Sequence, residues 1–288
     1  MALKTTRAKP TKAAVTGAAN VGPSLAEQSE VLALIKGTHA NPFAFLGPHL
    51  DDGTREMTVR CFLPAADAVT LVCEGQKLSI NMTKVHPDGL FVAQIAQSKK
   101  QALTYHYLAT WDGEVVRLED PYRFASVLST KEILRFRQGQ LWRAWECLGA
   151  RRVTLDQVEG FAFAVWAPAA QRVSVVGPFN NWDGRRHIMR KLHDAGIWEI
   201  FIPGLSANDI YKYEIIGANG DLQPLKSDPF GQAAELRPAN ASRLVDAPKQ
   251  VDSDQAWLKT RHGRHGLDAA ISVYEVHAGS FRRKPEEG

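Results

Sequence analysis

The sequence predicts an all-β chain: two tandem immunoglobulin-like β-sandwiches with short connecting helices, followed by one strand of a different kind. Three observations predict it. Four blocks recur at a near-constant displacement of 104 to 108 residues: Val59–Val72 in Phe163–Val176, Asp88–Ile95 in Ala195–Ile202, Tyr105-His-Tyr107 in Tyr211-Lys-Tyr213, and Asp120-Pro-Tyr122 in Asp228-Pro-Phe230. A fixed displacement over four blocks marks one domain written twice. Within each copy, short alternating runs end in Gly, Pro and Asp turns, the pattern of a sandwich. The length, 288 residues, allows two domains, each large enough to bury a core without disulfides or metals.

Residues 1–23 are a basic tail, expected to be disordered, without the apolar core of a secretory signal. Lys4, Arg7, Lys9 and Lys12 supply its charge, and no acid precedes Ser24. The formal net charge of +4 therefore belongs to the tail, and the remainder is neutral. That balance excludes a basic nucleic-acid face, and no stretch is long and apolar enough to span a membrane. Three cysteines, Cys61, Cys73 and Cys147, are an odd number in a chain with no export signal, which predicts reduced thiols and a cytoplasmic location.

Residues 24–128 are assigned to the first sandwich with a leading helix. Ser24-Leu-Ala-Glu27 has the spacing of a capping box, and Val31, Leu34 and Ile35 follow at helical spacing until Gly37. Strands then alternate with turns at Asp52-Gly53, Pro87-Asp-Gly89 and Trp111-Asp-Gly113. Residues 129–152 read as a helical connector carrying Ile133, Leu134, Leu141, Trp142, Trp145 and Leu148, interrupted near Gly139. Residues 153–247 form the second sandwich, with Phe161, Phe163, Val165, Val173 and Val175 inward and turns at Gly177-Pro178, Asp183-Gly184, Ala195-Gly196 and Asn219-Gly220. Residues 248–268 are a linker, with Arg261–Gly266 a polar loop. In residues 269–288, Ala269–Val276 is a continuous apolar run, which suits a strand buried on both faces as in a parallel barrel. One such strand is not stable alone, so the chain is expected to stop at the threshold of a third domain.

Phe179-Asn-Asn-Trp182-Asp-Gly184 carries the chemistry. An indole on a hydrated turn offers a platform to the apolar C–H face of a sugar ring, and Asn181 beside it offers amide donors and acceptors to hydroxyls. The competing reading has Trp182 fold back to cap the sandwich edge. Lys212 should point away from the inward Tyr211 and Tyr213, free either to donate to hydroxyls or simply to be solvated. Trp166 and Trp198 fall on core-like alternation. No histidine has metal-ligand spacing; His262 and His265 each precede a glycine in the expected loop. Asp183, Asp194, Asp228 and Glu235 read as turn or edge residues. No paired carboxylates, nucleophile motif, phosphate loop or dinucleotide glycines appear, so no catalytic residue, metal or cofactor is expected.

With these residues in place, Phe161–His187, Ile197–Gly204, Ile210–Glu214 and Lys226–Phe230 resemble the carbohydrate-binding module of bacterial 1,4-α-glucan (glycogen) branching enzymes. His39–Phe43 with Leu46–His49 is similar to the opening of that family's amino-terminal sandwich, and Ile271–Ser280 to its first barrel strand. Two places depart from the pattern: the connector at Ile133–Ala144, and Arg151 where the family has histidine.

The resemblance implies an enzyme that cuts α-1,4-glucan chains and rejoins them through α-1,6 bonds in glycogen biosynthesis. It implies a chain ending at the first strand of a truncated (β/α)8 barrel, with catalytic carboxylates on later strands that are missing here, so the chain alone is expected to be inactive. Its partners would be α-1,4-glucan, as glycogen or linear maltooligosaccharide, and the missing catalytic barrel in cis. Glucan contacts would fall on Trp182, Asn181 and Lys212. The alternative is a free-standing, non-catalytic α-glucan-binding protein. Between the two readings that the resemblance leaves, the apolar run favours a truncated branching enzyme, because a natural stop rarely follows an aggregation-prone apolar strand.

Overall fold

A computed structural model describes residues 25–51, 56–76, 78–96, 103–192, 195–246, 254–277 and 279–280. The tail 1–23, the cap Ser24, the Asp52-Gly53 turn, Asp194 and the residues after 280 lie outside that set. The chain divides into two compact units, Met1–Ala247 and Pro248–Gly288.

The larger unit opens with α1 (Leu25–Ile35), ended by Gly37 at φ 65°. Eight strands follow: β1 (Gly47–Leu50), β2 (Glu56–Phe62), β3 (Ala68–Cys73), β4 (Leu78–Asn81), β5 (Thr83–His86), β6 (Leu90–Ala96), β7 (His106–Trp111) and β8 (Glu114–Leu118). They form two antiparallel sheets, β1-β2-β6-β5 and β4-β3-β7-β8. Val59 and Cys61 of β2, Leu71 of β3, Phe91 and Ile95 of β6 and Tyr107 of β7 bury between them, as alternation predicts.

After α2 (Thr130–Arg137) the second set begins: β9 (Gly149–Leu155), β10 (Val158–Trp166), β11 (Arg172–Val176), β12 (Arg190–Leu192), β13 (Ile197–Pro203), β14 (Ile210–Ile216), β15 (Ala233–Ala234) and β16 (Ser242–Arg243). Their antiparallel sheets are β12-β13-β10-β9 and β11-β14-β16-β15. Phe161, Phe163, Val165, Val173, Val175, Tyr211 and Tyr213 meet in the core, where Phe163 and Tyr211 pack edge to face at 5.0 Å. Trp198 joins them, but Trp166 does not: it is 56% exposed. Trp166 ends β10 on the face that carries Ala164, outside the sandwich, and its ring meets Phe136 of α2 at 6.2 Å. Alternation with the inward Phe161, Phe163 and Val165 puts Trp166 on the outer face, so the expectation of a core position for it is not met.

Both faces of β10 are covered because the connector lies on the outer one. Ser129 and Glu132 cap α2 reciprocally, and Gly139 at φ 68° breaks the helix where the sequence interrupts it. Leu128, Cys147 and Leu148 then pack on Ala164 and Ile197. Glu199, 1% exposed, faces the same side from β13: Oε2 accepts from the Val127 and Leu128 amides at 3.2 and 3.1 Å, and Arg190 lies 3.4 Å away. All three cysteines are free and buried.

The duplicated Tyr-x-Tyr and Asp-Pro blocks form one device twice. In the first copy Asp120 Oδ2 accepts from the hydroxyls of Tyr105 (2.5 Å) and Tyr107 (2.8 Å), while Oδ1 accepts from the Tyr122 amide at 2.9 Å. In the second, Asp228 Oδ2 accepts from Tyr211 (2.6 Å) and Tyr213 (3.0 Å), and Oδ1 from the Phe230 amide at 2.8 Å. Asp228 is buried, not the turn or edge residue the sequence suggested. Burial raises the pKa of both carboxyls, with the phenols pulling it back down. Each Asp ties the core-facing tyrosines of one strand to the chain leaving the sandwich.

The smaller unit departs from expectation twice. Gln255–Arg264 forms α3, so most of the expected Arg261–Gly266 loop is helical and only the residues from His265 lie beyond it. Ala269–Val276 forms no strand; Ile271, Val273 and Tyr274 are exposed. A doubly buried strand needs neighbours on both edges and layers on both faces. The other strands described here are all engaged in the four antiparallel sheets. Among the described residues no helix is long and apolar enough to cross a membrane, and no group of three His, Cys, Asp or Glu could hold a metal ion.

Candidate functional site

The loop between β11 and β12, residues 177–189, carries Asn181 and Trp182. Its frame is Asn180, which is fully buried. The side-chain oxygen of Asn180 accepts from the Gly177 amide at 3.0 Å; its nitrogen donates to the Val175 carbonyl at 2.9 Å and to His187 Nδ1 at 2.8 Å. Asn180, the other amide of this turn, is thus fully used within the protein. So is the carboxylate: Asp183 accepts from the Arg185 amide at 2.9 Å and from its guanidinium at 2.7–3.2 Å. Burial pushes the Asp183 pKa up, but the Arg185 hydrogen bonds more than offset this and hold it below the ordinary value.

What remains exposed is the tip. Asn181 and Trp182 both lie in the left-handed region, at φ 56° and 58°. Asparagine tolerates that conformation; for a tryptophan it costs about 1–2 kcal/mol. The Trp182 amide donates to the Gly177 carbonyl at 2.9 Å, and the Asp183 amide to Asn180 at 3.1 Å, which holds the turn in place. A strained aromatic at a loop tip, fixed by its surroundings, is the kind of outlier that marks a functional position. Trp182 is 37% exposed, and its indole nitrogen has no hydrogen-bond partner among the described residues. Just over a third of its surface is therefore open to solvent.

Lys212 lies on β14 in register with Val176, one residue before the loop begins, so it sits at the same end of the sheet as the turn. Tyr211 and Tyr213 beside it are buried, as alternation requires. Its Nζ donates to the side-chain oxygen of Asn240. No hydrogen bond joins Lys212 to Asn181 or Trp182 among the described residues. Asn240 escaped the sequence reading, because it sits in an irregular loop with no periodicity to mark it. Asn180 escaped as well: of two adjacent asparagines, sequence cannot say which faces in.

His187 supplies a pH dependence. Its pKa is lowered to about 3, first by burial and then by the charge of Arg186. Nδ1 accepts from Asn180, which fixes the neutral tautomer. The unfolded chain protonates this histidine near 6.5 and the folded one only near 3. Between those values the unfolded state binds more protons, so stability falls as pH drops through that window. Urea unfolding at pH 7 and pH 4.5 should show a loss that His187→Gln reduces; an equal loss in both proteins would contradict the assignment.

Comparison with known proteins gives the families that the chain is similar to. Residues 27–122 match the model for the "alpha-1,4-glucan branching enzyme GlgB, N-terminal domain", and residues 147–231 match "Carbohydrate-binding module 48 (Isoamylase N-terminal domain)". The 1,4-alpha-glucan branching enzymes GlgB of Paramagnetospirillum magneticum and Agrobacterium fabrum are each 44% identical, over 91% and 90% of this chain. The chain spans about a third of the length of these relatives, 35% in both cases. Among solved structures, a pullulanase from Anoxybacillus sp. LM18-11 is 18% identical over 69% of this chain and 27% of its own, with a TM-score of 0.29, too low to bear on the site. The chain carries, in order, the GlgB amino-terminal domain and a carbohydrate-binding module of family 48: the amino-terminal domains of the 1,4-α-glucan branching enzyme family.

Proposed function

We propose that this chain supplies α-glucan binding and domain positioning to a branching enzyme, which cuts α-1,4-glucan chains and transfers them to form α-1,6 branches. The observation that carries the binding role is the exposed Asn181–Trp182 turn, held strained on a buried frame within the carbohydrate-binding module. A flat indole stacks on the C–H face of a glucose unit, and the Asn181 amide beside it reaches ring hydroxyls. Lys212 and Asn240 are the polar partners on the neighbouring strand and loop. Ammonium and amide together offer donors and an acceptor to a second sugar unit. The branching chemistry itself belongs to the two thirds of the relatives' length that this chain does not span, where the paired carboxylates of glycosyl transfer are expected.

Native electrophoresis tests this directly. The chain should migrate more slowly in a gel containing glycogen than in one without it, and should leave the iodine spectrum of amylose unchanged. Equal migration in both gels contradicts the binding role; a changed iodine spectrum contradicts the placement of catalysis outside the chain.

A further inference from the structure

The two copies of the Asp-Pro-aromatic block differ by one atom of consequence: Tyr122 in the first has a hydroxyl where Phe230 in the second has none. That hydroxyl is not used within its own sandwich. It donates to the Arg186 carbonyl at 3.3 Å and accepts from the Ile188 amide at 3.1 Å, both in the loop that carries Trp182. Other groups of the amino-terminal region converge on the same loop. Arg185, which clamps Asp183, reaches the Ile35 carbonyl at 3.5 Å and lies 5.8 Å from the Phe62 ring. A Cβ at Gly37 would come within 3.1 Å of the Arg185 side chain, so the end of α1 is in close contact with it. Arg186 lies 6.0 Å from the Trp111 ring. Just beyond the loop, Arg190 donates to the Phe124 carbonyl at 2.6 Å and covers the Phe43 ring at 3.8 Å.

Within the second sandwich, Asn180 fixes the start of the loop, and the β-bridge between Ser174 and Ile188 fixes its end. The stretch between, Asp183–His187, is held from both sides: Arg172 donates to the Gly184 carbonyl and the Val175 amide to the His187 carbonyl, each at 3.1 Å, while Arg185 and Arg186 reach residues of the first sandwich. We propose that the first sandwich positions the Trp182 turn, with the Tyr122 hydroxyl as its latch, so that the glucan affinity of the second sandwich depends on the first. This rests on the proposed role of Trp182, and Tyr122 is a positioning residue that does not itself touch glucan. The first copy thereby acquires a role that its lack of an equivalent exposed tryptophan turn would otherwise leave open.

Tyr122→Phe in the full chain tests it, because Phe230 shows that phenylalanine fits the same Asp-Pro turn. Two readouts are taken: hydrogen exchange of the Trp182, Asp183 and Ile188 amides without ligand, and calorimetric affinity for maltoheptaose. Loss of the hydroxyl's two hydrogen bonds predicts amides in the turn that exchange at least roughly fivefold faster and an affinity for maltoheptaose at least about fivefold weaker. Exchange at Trp198, in the core, serves as the control and should not change. Unchanged exchange at Trp182 and Asp183 overturns the latch, as does faster exchange with unchanged affinity. The companion variant Trp182→Ala separates the two levels. If Trp182→Ala binds maltoheptaose normally, the glucan-turn reading falls, while the exchange data still decide whether Tyr122 orders the turn.

Discussion

Replacing Trp182 with alanine should abolish retardation in glycogen gels while leaving the chain folded. A buried-on-binding tryptophan is the residue type whose truncation costs most, about 2 kcal/mol or more, or roughly thirtyfold in affinity. The chain should stay folded, because the partly covered indole contributes about 1–2 kcal/mol of the roughly 5–15 kcal/mol that holds a domain folded. Trp182→Gly sharpens the result. Glycine adopts the left-handed conformation freely, so this variant should be at least as stable as Trp182→Ala yet equally unable to bind. Normal retardation in both variants would mean that the indole merely caps the sandwich edge. Asn181→Ala should weaken binding less, since an amide at the rim adds one hydrogen bond where the ring provides the stacking surface.

Asp120→Ala should be the most damaging single change to stability. Asp120 is 1% exposed and accepts from two phenols and one backbone amide, none of which has water to turn to. Removing the acceptor leaves three buried donors unpaired, at roughly 1–3 kcal/mol each. A total loss of about 3–9 kcal/mol is a large share of the roughly 5–15 kcal/mol that holds a domain folded. Asp228→Ala should lose a comparable amount from the second sandwich, since its contacts are the same three. Urea unfolding curves measure both; a change under about 1 kcal/mol in either would mean that these tyrosines find other acceptors.

The repeat made the fold readable from sequence. Two copies of alternating Val, Phe and Tyr, displaced by a constant interval, specify paired sheets whichever residues face out. The same repeat hid the Asp-Tyr-Tyr device, because burial of a carboxylate in a loop leaves no periodic trace. Asp228 therefore looked like an edge residue until its two phenol donors were seen. Trp166 shows the limit of alternation: it gives the face a residue occupies but not whether another layer covers that face, and how far it extends. The apolar run at 269–276 shows the limit of composition. Ile271, Val273 and Tyr274 have the residue types of a doubly buried strand, but strand formation depends on partners that the sequence of one segment cannot provide. At the candidate site the exposed tip, Asn181 and Trp182, was legible because turn chemistry and an indole sit together. Its support was not: Asn180, Asn240 and Tyr122 act across 3, 28 and 64–66 residues of chain.

A crystal structure of the chain with maltoheptaose is the most direct test of the site. The account predicts a glucose unit stacked on the exposed face of Trp182, its hydroxyls within hydrogen-bond distance of Asn181 and the next unit toward Lys212 and Asn240. An oligosaccharide bound elsewhere on the protein, with the Trp182 face left bare, would contradict it.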